Sequence, residues 1–426
     1  MSDEQPPSGA PEPPPPSAQP EYDLQPAPVT PGDGATVGGR MQVAMRAGGI
    51  VAPLLTVLLA FLIGGLVVLL TGHNPIDTYK AIFNGTGLQW LFPWTSKDDR
   101  VTAAINLQQT LIITGPLILL GLAVGYAFRA GLFNIGGQGQ YIVGSIVAVW
   151  AGSSWAGMPH LLHVVVCMVL ATLAGAFWAG ISGFLRAVTG ANEVITTIML
   201  NWIAIWLGVY LFSLGGPLQN HAQRDVPISN DVVGGAKLHV FWGDPELQGL
   251  HIGIFIAIAA AVVYWVLLNR STKGYEARAV GFNPEAARYS GIKVGKTYVL
   301  VMATCGALAG LAGSLDVLGW QFHLATNDVQ GTQLAFYGIA VALLGRNTAI
   351  GTCLAALLFG ALITGTSVRN LDPAVFEPEL AQNLTTVIQG LVVLFVSADV
   401  LILIIYNKLR IRRRRATPAQ PAEVTA

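Results

Sequence analysis

Residues 273–297 read KGYEARAVGFNPEAARYSGIKVGKT, the one long charged stretch that lies between strongly apolar segments on both sides. Inside it, the residue types predict a short helix with both ends marked. Asn283 is a good N-cap because its side chain can accept a hydrogen bond from a free backbone N–H. Pro284 suits the first helical position, Glu285 suits the positive N-terminal dipole, and Gly291 suits a left-handed C-terminal stop. We therefore predict a short exposed helix that connects two membrane spans and that a body outside the membrane could grip.

The composition of the chain indicates a membrane protein. Of 426 residues, 53% are hydrophobic and 11% are charged, whereas a soluble domain carries about 25% charged residues. So few charges cannot cover a water-exposed surface, and we predict an all-α polytopic membrane protein. Three cysteines, Cys167, Cys305 and Cys353, lie in apolar segments far apart in sequence. We interpret them as buried apolar residues rather than as a disulfide or a metal site.

Apolar segments recur along the chain, and a helix needs about 20 residues to cross a bilayer. By this measure we predict about ten transmembrane helices, at residues 50–71, 107–128, 141–156, 161–185, 195–214, 251–268, 298–318, 334–345, 349–367 and 385–406. The third and the eighth of these segments are short and interrupted by glycine. Two long external loops follow from this arrangement, at residues 72–106 and 215–250.

The chain divides into three regions, a proline-rich tail at residues 1–48, a transmembrane domain at 49–407 with a charged cytoplasmic loop at 269–297, and a basic tail at 408–426. Eleven prolines among residues 1–40 predict disorder. With both termini in the cytoplasm, the cytoplasmic segments hold 17 Lys and Arg residues and the external segments hold six, as the positive-inside rule requires. The arginines at 412–415 then face anionic membrane lipid rather than nucleic acid.

Polar residues interrupt the apolar pattern at residues 129–140, which read RAGLFNIGGQGQ. Irregular backbone at membrane depth is tolerated only where it is buried in protein or lines a water-filled cavity. One interpretation is a broken helix along a translocation path, with Asn134, Gln138 and Gln140 as hydrogen-bonding groups. The other is a polar cytoplasmic turn whose glycines allow close packing, and the sequence favours neither.

Four further polar residues are candidates for the same path. Asn192 and Glu193 open the fifth span, where capping explains them as well as path lining does. Asn201 lies about two turns further on and either needs a hydrogen-bonding partner within the bundle or lines the path. Asp316 is a carboxylate near the end of the seventh span, so it either lines a cavity in the protein interior or lies close to the outer surface.

The sequence shows no arrangement typical of an enzyme or of a cofactor site. Residues 295–297, GKT, resemble the end of a phosphate-binding loop, but the first glycine that such a loop requires falls at Ser290. His160 and His163 have HxxH spacing without a third ligand nearby, so we interpret them as polar residues at the surface. We expect no catalytic residue, no metal site and no ATP site in this chain.

Four stretches resemble one known family, namely LFNIGGQGQ at 132–140, ANEVITTIMLNWIA at 191–204, RAVGFNPEAARYSGI at 278–292 and GIAVALLGRNTAIG at 338–351. In order and spacing they are similar to the membrane subunits of bacterial ABC importers, in the branch for branched-chain amino acids, simple sugars and nucleosides. The resemblance covers roughly residues 50–410. The first external loop, with NPIDTYKAIFNG, looks most like that of the larger permease of nucleoside-type systems.

The resemblance implies a type II importer-like bundle in the bacterial inner membrane. Such permeases pair with a second permease, here expected as a heterodimer, rest on ABC ATPase subunits that hold ATP and Mg²⁺, and receive solute from an extracellular binding lipoprotein. The loop between the sixth and seventh spans would carry the coupling helix, with Gly281, Asn283, Pro284, Glu285, Ala286, Ala287 and Gly291 as the coupling residues. Val301 and Ala303 depart from the distal part of the family's pattern, which has isoleucine and leucine there.

The expected function is therefore a permease subunit that forms the path for a small polar solute, such as a nucleoside or a simple sugar. Amide side chains and few charges suit a neutral solute rich in hydroxyl groups. The alternative is a secondary transporter driven by protons or sodium. That class needs ionisable residues deep in the bundle, and Asp316 is the one fair candidate for this role. A secondary transporter would also leave the charged loop at 269–297 without a function.

Overall fold

A computed structural model describes residues 51–244, 249–367, 370 and 378–397. The proline-rich tail at 1–48, the basic tail at 408–426 and the end of the tenth predicted span lie outside the described residues. The described residues from Pro53 onward belong to one compact unit.

Helices dominate the described part of the chain. In chain order they are α1 (Val51–Leu70), α2 (Pro75–Thr86), α3 (Lys97–Arg129), α4 (Gly137–Ser154), α5 (His160–Thr189), α6 (Glu193–Phe212), α7 (Gly253–Arg270), α8 (Thr272–Phe282), α9 (Pro284–Tyr289), α10 (Val294–Asp316), α11 (Thr326–Gly331), α12 (Leu334–Leu344), α13 (Ala349–Gly365) and α14 (Pro378–Ser397). A π-helical turn, Val317–Gln321, continues α10. Between α6 and α7, strand β1 (Val240–Trp242) pairs antiparallel with β2 (Leu250–His251).

Five of the described helices are long and apolar enough to cross a bilayer. They are Asp99–Arg129 within α3, α5, α6, α7, and α10 together with its π-helical turn. The bent pair of α1 and α2 would make a sixth span. Helix α13 has 17 residues and α12 has 11, fewer than the roughly 20 that a span needs. Each of the ten predicted segments overlaps a described helix. Only five of the described helices, or six spans with the bent pair, are long and apolar enough to cross a bilayer.

The chain bends by 119° between α1 and α2. Gly72 adopts a φ of +87°, and Asn74 caps α2 by accepting a hydrogen bond from a backbone N–H in its first turn. Pro75 occupies the first position of α2, which suits its fixed φ. The hydroxyl of Tyr79 donates a hydrogen bond to the carbonyl of Phe61 at 2.5 Å. The first predicted external loop therefore contains a helix that is bonded to the preceding span.

The most extensive helix contact joins α5 and α10, and small residues make it possible. Gly306 and Gly310 lie four residues apart on α10, and Ala171 and Gly175 are spaced in the same way on α5. A Cβ atom at Gly175 or Gly306 would lie under 3.0 Å from backbone atoms of the facing helix. Gly144 of α4 lies equally close to Gly310. The helix backbones therefore touch directly, as membrane helices do at small-xxx-small motifs.

The two long loops predicted to be external contact each other and the helical bundle. The rings of Trp90 in the first loop and Trp242 in the second lie 5.0 Å apart. Earlier in the second loop, the backbone N–H of Ser229 donates to the carbonyl of Leu324 at 2.8 Å. The second loop is therefore bonded to the segment that follows the π-helical turn.

The two histidines at the start of α5 differ in exposure. His160 is exposed, and its Nδ1 lies 3.0 Å from the carbonyl oxygen of Gly235. His163 is fully buried, and its Nε2 lies 3.0 Å from the carbonyl oxygen of Ala151. The predicted surface position is therefore wrong for His163, because the end of α4 and the loop around Gly235 cover it. The contact of His163 with the loop around Gly235 joins residues far apart in sequence, so the local spacing of the two histidines does not reveal it.

Replacing Gly175 by alanine should destabilise the membrane domain. The new Cβ would meet the backbone of α10, which cannot rotate away, and overpacking of this kind costs roughly 1–3 kcal/mol. Gly180→Ala is the matched control, because a Cβ at Gly180 meets no described atom within 4 Å. Thermal unfolding in detergent should show a lower midpoint for Gly175→Ala and an unchanged midpoint for Gly180→Ala. Equal midpoints for the two variants would contradict the direct backbone contact.

Candidate coupling surface and translocation path

The N-terminus of α9 has the cap that the sequence predicts. Oδ1 of Asn283 accepts hydrogen bonds from the backbone N–H groups of Glu285 and Ala286, at 3.0 and 3.1 Å. Pro284 occupies the first helical position, where its missing N–H costs nothing. The cap satisfies two of the backbone N–H groups that a helix start leaves free, so α9 begins at the predicted residue.

The C-terminus of α9 is a Schellman motif. Gly291 has a φ of +84°, and its N–H donates to the carbonyl of Arg288 at 3.0 Å. The next N–H, of Ile292, donates to the carbonyl of Ala287 at 3.0 Å. These two bonds satisfy carbonyl groups at the helix end, and the left-handed backbone between them favours glycine. Gly291 is thus confirmed as the stop of the helix.

A small apolar cluster, separate from the main core, holds α9 in place. Ala287 of α9 is buried against Val280 of α8 and Val294 of α10. Helix α8 itself was not predicted, because the sequence suggested one helix in this loop rather than two. Of the predicted coupling residues, Ala287 is therefore a packing residue. Those that α9 leaves exposed are Pro284, Glu285 and Ala286.

Two exposed aromatic side chains mark the ends of α9, one just before its first residue and one at its last residue. Phe282 is 91% exposed and Tyr289 is 92% exposed. Glu285 and Arg288 form an exposed ion pair between them, at 3.6 Å, and such a pair contributes little to stability. Aromatic side chains are over-represented among the residues that anchor protein interfaces. The sequence analysis missed both, although FNPEAARY places an aromatic residue at each end of the capped helix.

Gly281, another predicted coupling residue, connects α9 to the interrupted stretch before α4. A Cβ at Gly281 would lie 2.6 Å from the carbonyl oxygen of Arg129 and 2.9 Å from the backbone nitrogen of Gly131. Gly131 itself has a φ of +71°. The backbones of α8, at Gly281, and of the stretch before α4 are therefore in direct contact.

The backbone leaves the helical path between the end of α3 and the start of α4, which we call the chain break (residues 130–136). Asn134 and Gln140 bond to each other through both amide groups, at 3.0 and 3.1 Å, and both are buried. Asn134 also accepts from the N–H of Gly136. Asn201 donates to the carbonyl of Ile135 and accepts from an N–H in the first turn of α4. These three amides therefore stabilise the break, and Asn201 has the hydrogen-bonding partners within the bundle that one of its two interpretations required.

Glu193 also bonds to the chain break. Its Oε1 accepts from the N–H of Phe133 at 3.4 Å, and its Oε2 lies 3.5 Å from Nε of Arg186 at the end of α5. Asn192 is exposed and caps α6 by accepting from the N–H of Val194. The structure thus brings Glu193 to the break and leaves Asn192 as a helix cap.

Asp316 lies in the protein interior, at 3% exposure. Its Oδ2 accepts from the hydroxyl of Tyr141 on α4 at 2.5 Å, and its Oδ1 accepts from the indole N–H of Trp320 at 2.9 Å. Both oxygens therefore have partners within the protein. Asp316 joins α4 to the π-helical turn, a role that the sequence could not show because Tyr141 lies 175 residues away.

Gln138 differs from the other amides of the chain break. It is 1% exposed, and its Nε2 donates to the carbonyl of Thr332 at 2.7 Å. Its Oε1 has no hydrogen-bond partner among the described residues. Gln138 thus links the first turn of α4 to the segment between α11 and α12 and keeps one buried acceptor free.

Comparisons with known proteins agree with this arrangement. The profile of the family described as branched-chain amino acid transport system / permease component matches residues 106–397. The guanosine ABC transporter permease protein of Bacillus subtilis is 35% identical over 361 residues, which cover 85% of this chain and 97% of the relative. The nucleoside ABC transporter permease protein of Lactococcus lactis is 32% identical over 369 residues, covering 85% and 94%. The glucose ABC transporter permease protein of Haloferax volcanii is 33% identical over 355 residues, covering 80% and 86%. No solved structure matches the chain.

The family match covers more than half of the chain and includes all four stretches quoted above, from 132–140 to 338–351. The relatives match along most of their own length as well. The chain therefore belongs to the permease component family of branched-chain amino acid transport systems, and it is an integral inner-membrane permease subunit of an ABC importer.

Proposed function

We propose that this chain forms the membrane path for a neutral solute rich in hydroxyl groups, a nucleoside or a simple sugar, and that a partner ATPase drives it through α9. The observation that carries the coupling role is that α9 is capped at both ends and exposed, with the exposed Phe282 just before it and the exposed Tyr289 at its end. A rigid exposed helix with two aromatic anchors suits a groove in a soluble protein. Relatives named for guanosine, nucleosides and glucose support the solute class.

The proposed assembly has four kinds of subunit. An ATPase subunit holds ATP and Mg²⁺ and hydrolyses ATP, a second permease completes the path as a heterodimer, and an external lipoprotein delivers the solute. Membership of the permease family supports the ATPase and the binding protein. We further propose ten spans with both termini in the cytoplasm, which the excess of 17 basic residues over six supports.

Coupling would follow the contacts around α9. The residues that carry it are Gly281, Asn283, Pro284, Glu285, Ala286, Ala287 and Gly291. Closure of the ATPase subunits pushes α9, and the small apolar cluster under Ala287 passes the displacement to α8. Gly281 then moves the chain break through its backbone contact with Gly131. The break connects α3 to α4, so the two helices change their relative position and expose the path to one side or the other.

An ion-driven transporter is not favoured. The chain belongs to a family of ABC permeases. In addition, Asp316, the one carboxylate proposed to bind an ion, has both oxygens engaged by Tyr141 and Trp320. A coupling-ion site needs carboxylate oxygens that can be freed for the ion.

A pull-down in mild detergent through a C-terminal affinity tag tests the proposed assembly. Mass spectrometry should recover an ATPase with phosphate-binding-loop motifs and a second permease. If the chain is recovered alone or only with itself, under conditions that preserve other ABC complexes, the ATPase-driven function must be withdrawn.

Replacing Tyr289 by alanine should weaken the hold of the ATPase on α9. Removal of a central aromatic anchor costs about 2 kcal/mol or more, so the complex should dissociate roughly 30-fold more readily. Tyr210→Ala is the matched control, because Tyr210 is 63% exposed on α6, far from α9 in sequence. Recovery of the ATPase in the pull-down reports the difference. Equal recovery with both variants would contradict a docking role for Tyr289.

Replacing Gly281 by alanine should separate ATP hydrolysis from transport. The new Cβ would meet the carbonyl of Arg129 and push α8 away from the chain break. Overpacking costs roughly 1–3 kcal/mol, and we expect uptake per ATP hydrolysed to fall about tenfold. The ATPase should still copurify, because α9 is unchanged. Gly180→Ala serves as the control, and wild-type uptake per ATP by Gly281→Ala would argue against transmission through this contact.

A further inference from the structure

Two interruptions of helical structure meet inside the bundle. The first is the chain break before α4. The second begins with the π-helical turn Val317–Gln321, continues through Phe322 with a φ of +60°, and includes the six-residue helix α11. π-helical turns occur frequently at functional sites, and discontinuous helices form the solute sites of many transporters. The hydrogen bond from Gln138, in the first turn of α4, to Thr332, the residue after α11, joins the segments next to the two interruptions.

Helix α11 carries a polar face that lipid could not accept. Its exposed residues include Asn327, Asp328 and Gln330. The chain before α11 is bonded to the second long loop at Leu324, and the chain after it is bonded to Gln138 in the first turn of α4. The segment therefore lies between two fixed ends, with Val329 packed against Gly208 of α6 and with Asp328 lining a cavity shared with Tyr141 of α4. An exposed polar helix in such a place must face water or another protein subunit rather than hydrocarbon.

Two buried amide oxygens on these elements lie free. Gln321, at the end of the π-helical turn, lines the cavity described below, and Gln138 bonds to Thr332, which lines the same cavity. Oε1 of Gln138 and Oε1 of Gln321 have no hydrogen-bond partner among the described residues. Leaving a buried acceptor unpaired costs about 1–3 kcal/mol, so each of these two oxygens needs a reason. A solute that donates hydrogen bonds to them during transport would supply it.

A small cavity lies between these elements. It measures about 20 Å³, room for about one water molecule and far below the roughly 300–1,000 Å³ of small-molecule sites. Its polar lining residues are Tyr141, Ser145, Gln321, Asp328 and Thr332. Within the part of the chain that the structure describes, no lysine or arginine lines it, so an anionic solute would meet no positive charge there. The site is therefore closed, and it is rich in acceptors for a neutral solute that donates.

We propose that Gln138 and Gln321 receive the solute between α4 and α11 and accept hydrogen bonds from its hydroxyl or N–H groups. The site opens when α11 moves away from α4, which breaks the bond between Gln138 and Thr332. This proposal rests on the proposed function, since it names the place in the path where the solute binds. It adds Gln321, Asp328 and Tyr141 to the residues that face the solute.

Transport by the assembled importer in sealed liposomes tests the site. Gln138→Met and Gln321→Met keep the length of each side chain and remove the acceptor. With saturating binding protein, each variant should transport guanosine 2- to 10-fold more slowly than wild type, the worth of about one hydrogen bond. The loss should shrink for one of the 2′-, 3′- or 5′-deoxy analogues, which lacks the hydroxyl that the amide accepts. Gln223→Met, in the second long loop and exposed, is the control.

The possible outcomes distinguish a failure of the proposed solute site from a failure of the proposed function. If wild-type liposomes transport neither guanosine nor glucose with ATP, the proposed solute class fails. If wild type transports guanosine and Gln321→Met does so at wild-type rates, with unchanged preference among the analogues, the site fails. Gln321→Met keeps this test valid should Gln138→Met fold poorly, because Gln138 also bonds to Thr332.

A second measurement does not depend on the solute. In a variant with Cys167, Cys305 and Cys353 replaced by alanine, Gln330→Cys on α11 should react with a hydrophilic thiol reagent in intact membranes. Trp206→Cys is the control, because Trp206 is 59% exposed on the apolar helix α6 and should face lipid. An unreactive Gln330→Cys would overturn the placement of α11 beside an aqueous path.

Discussion

Hydrogen bonds between backbone groups and the side chains of Asn134, Asn201 and Glu193 secure the chain break before α4, and the rest of the structure depends on them. Backbone groups that leave a helix inside an apolar bundle cost several kcal/mol each when unpaired. Asn134 and Asn201 pair with the backbone of Ile135, Gly136 and Gly139. The side-chain amides of Asn134 and Asn201 are therefore occupied by hydrogen bonds that stabilise the break. The neighbouring Gln138 keeps a free oxygen and is the better candidate for contact with the solute.

The bundle combines a rigid part with parts that are attached by few bonds. Helices α5 and α10 touch along their backbones at Gly175, Gly306 and Gly310, where no side chain can rearrange. By contrast, α9 rests on a three-residue apolar cluster, and α11 is held by bonds of its flanking residues and by Val329, which packs against Gly208 of α6. We propose that the moving parts that transport requires are α9 and α11. The contact between Gly281 and Gly131 connects α8, against which α9 packs, to the chain break.

Local features were predictable from the sequence, and long-range contacts were not. Both ends of α9 were predicted correctly because Asn283 and Gly291 act on their own neighbours in the chain. The grouping of polar residues around the chain break was also anticipated. The surface position of His163 was predicted wrongly, because part of its cover comes from Gly235 in the second long loop. The bond between Tyr141 and Asp316 was missed, because it joins helices distant in sequence. Nor did the apolar pattern reveal the π-helical turn, since such a turn changes backbone bonding without changing composition.

The central claim is that ATP, and no ion gradient, drives a solute through this chain. The most direct measurement is guanosine accumulation by sealed liposomes that contain the purified complex and its binding protein, with a protonophore and a sodium ionophore present. We predict accumulation that requires ATP and that persists when both ionophores collapse the gradients. Accumulation that the ionophores abolish, or that proceeds without ATP, would contradict the claim.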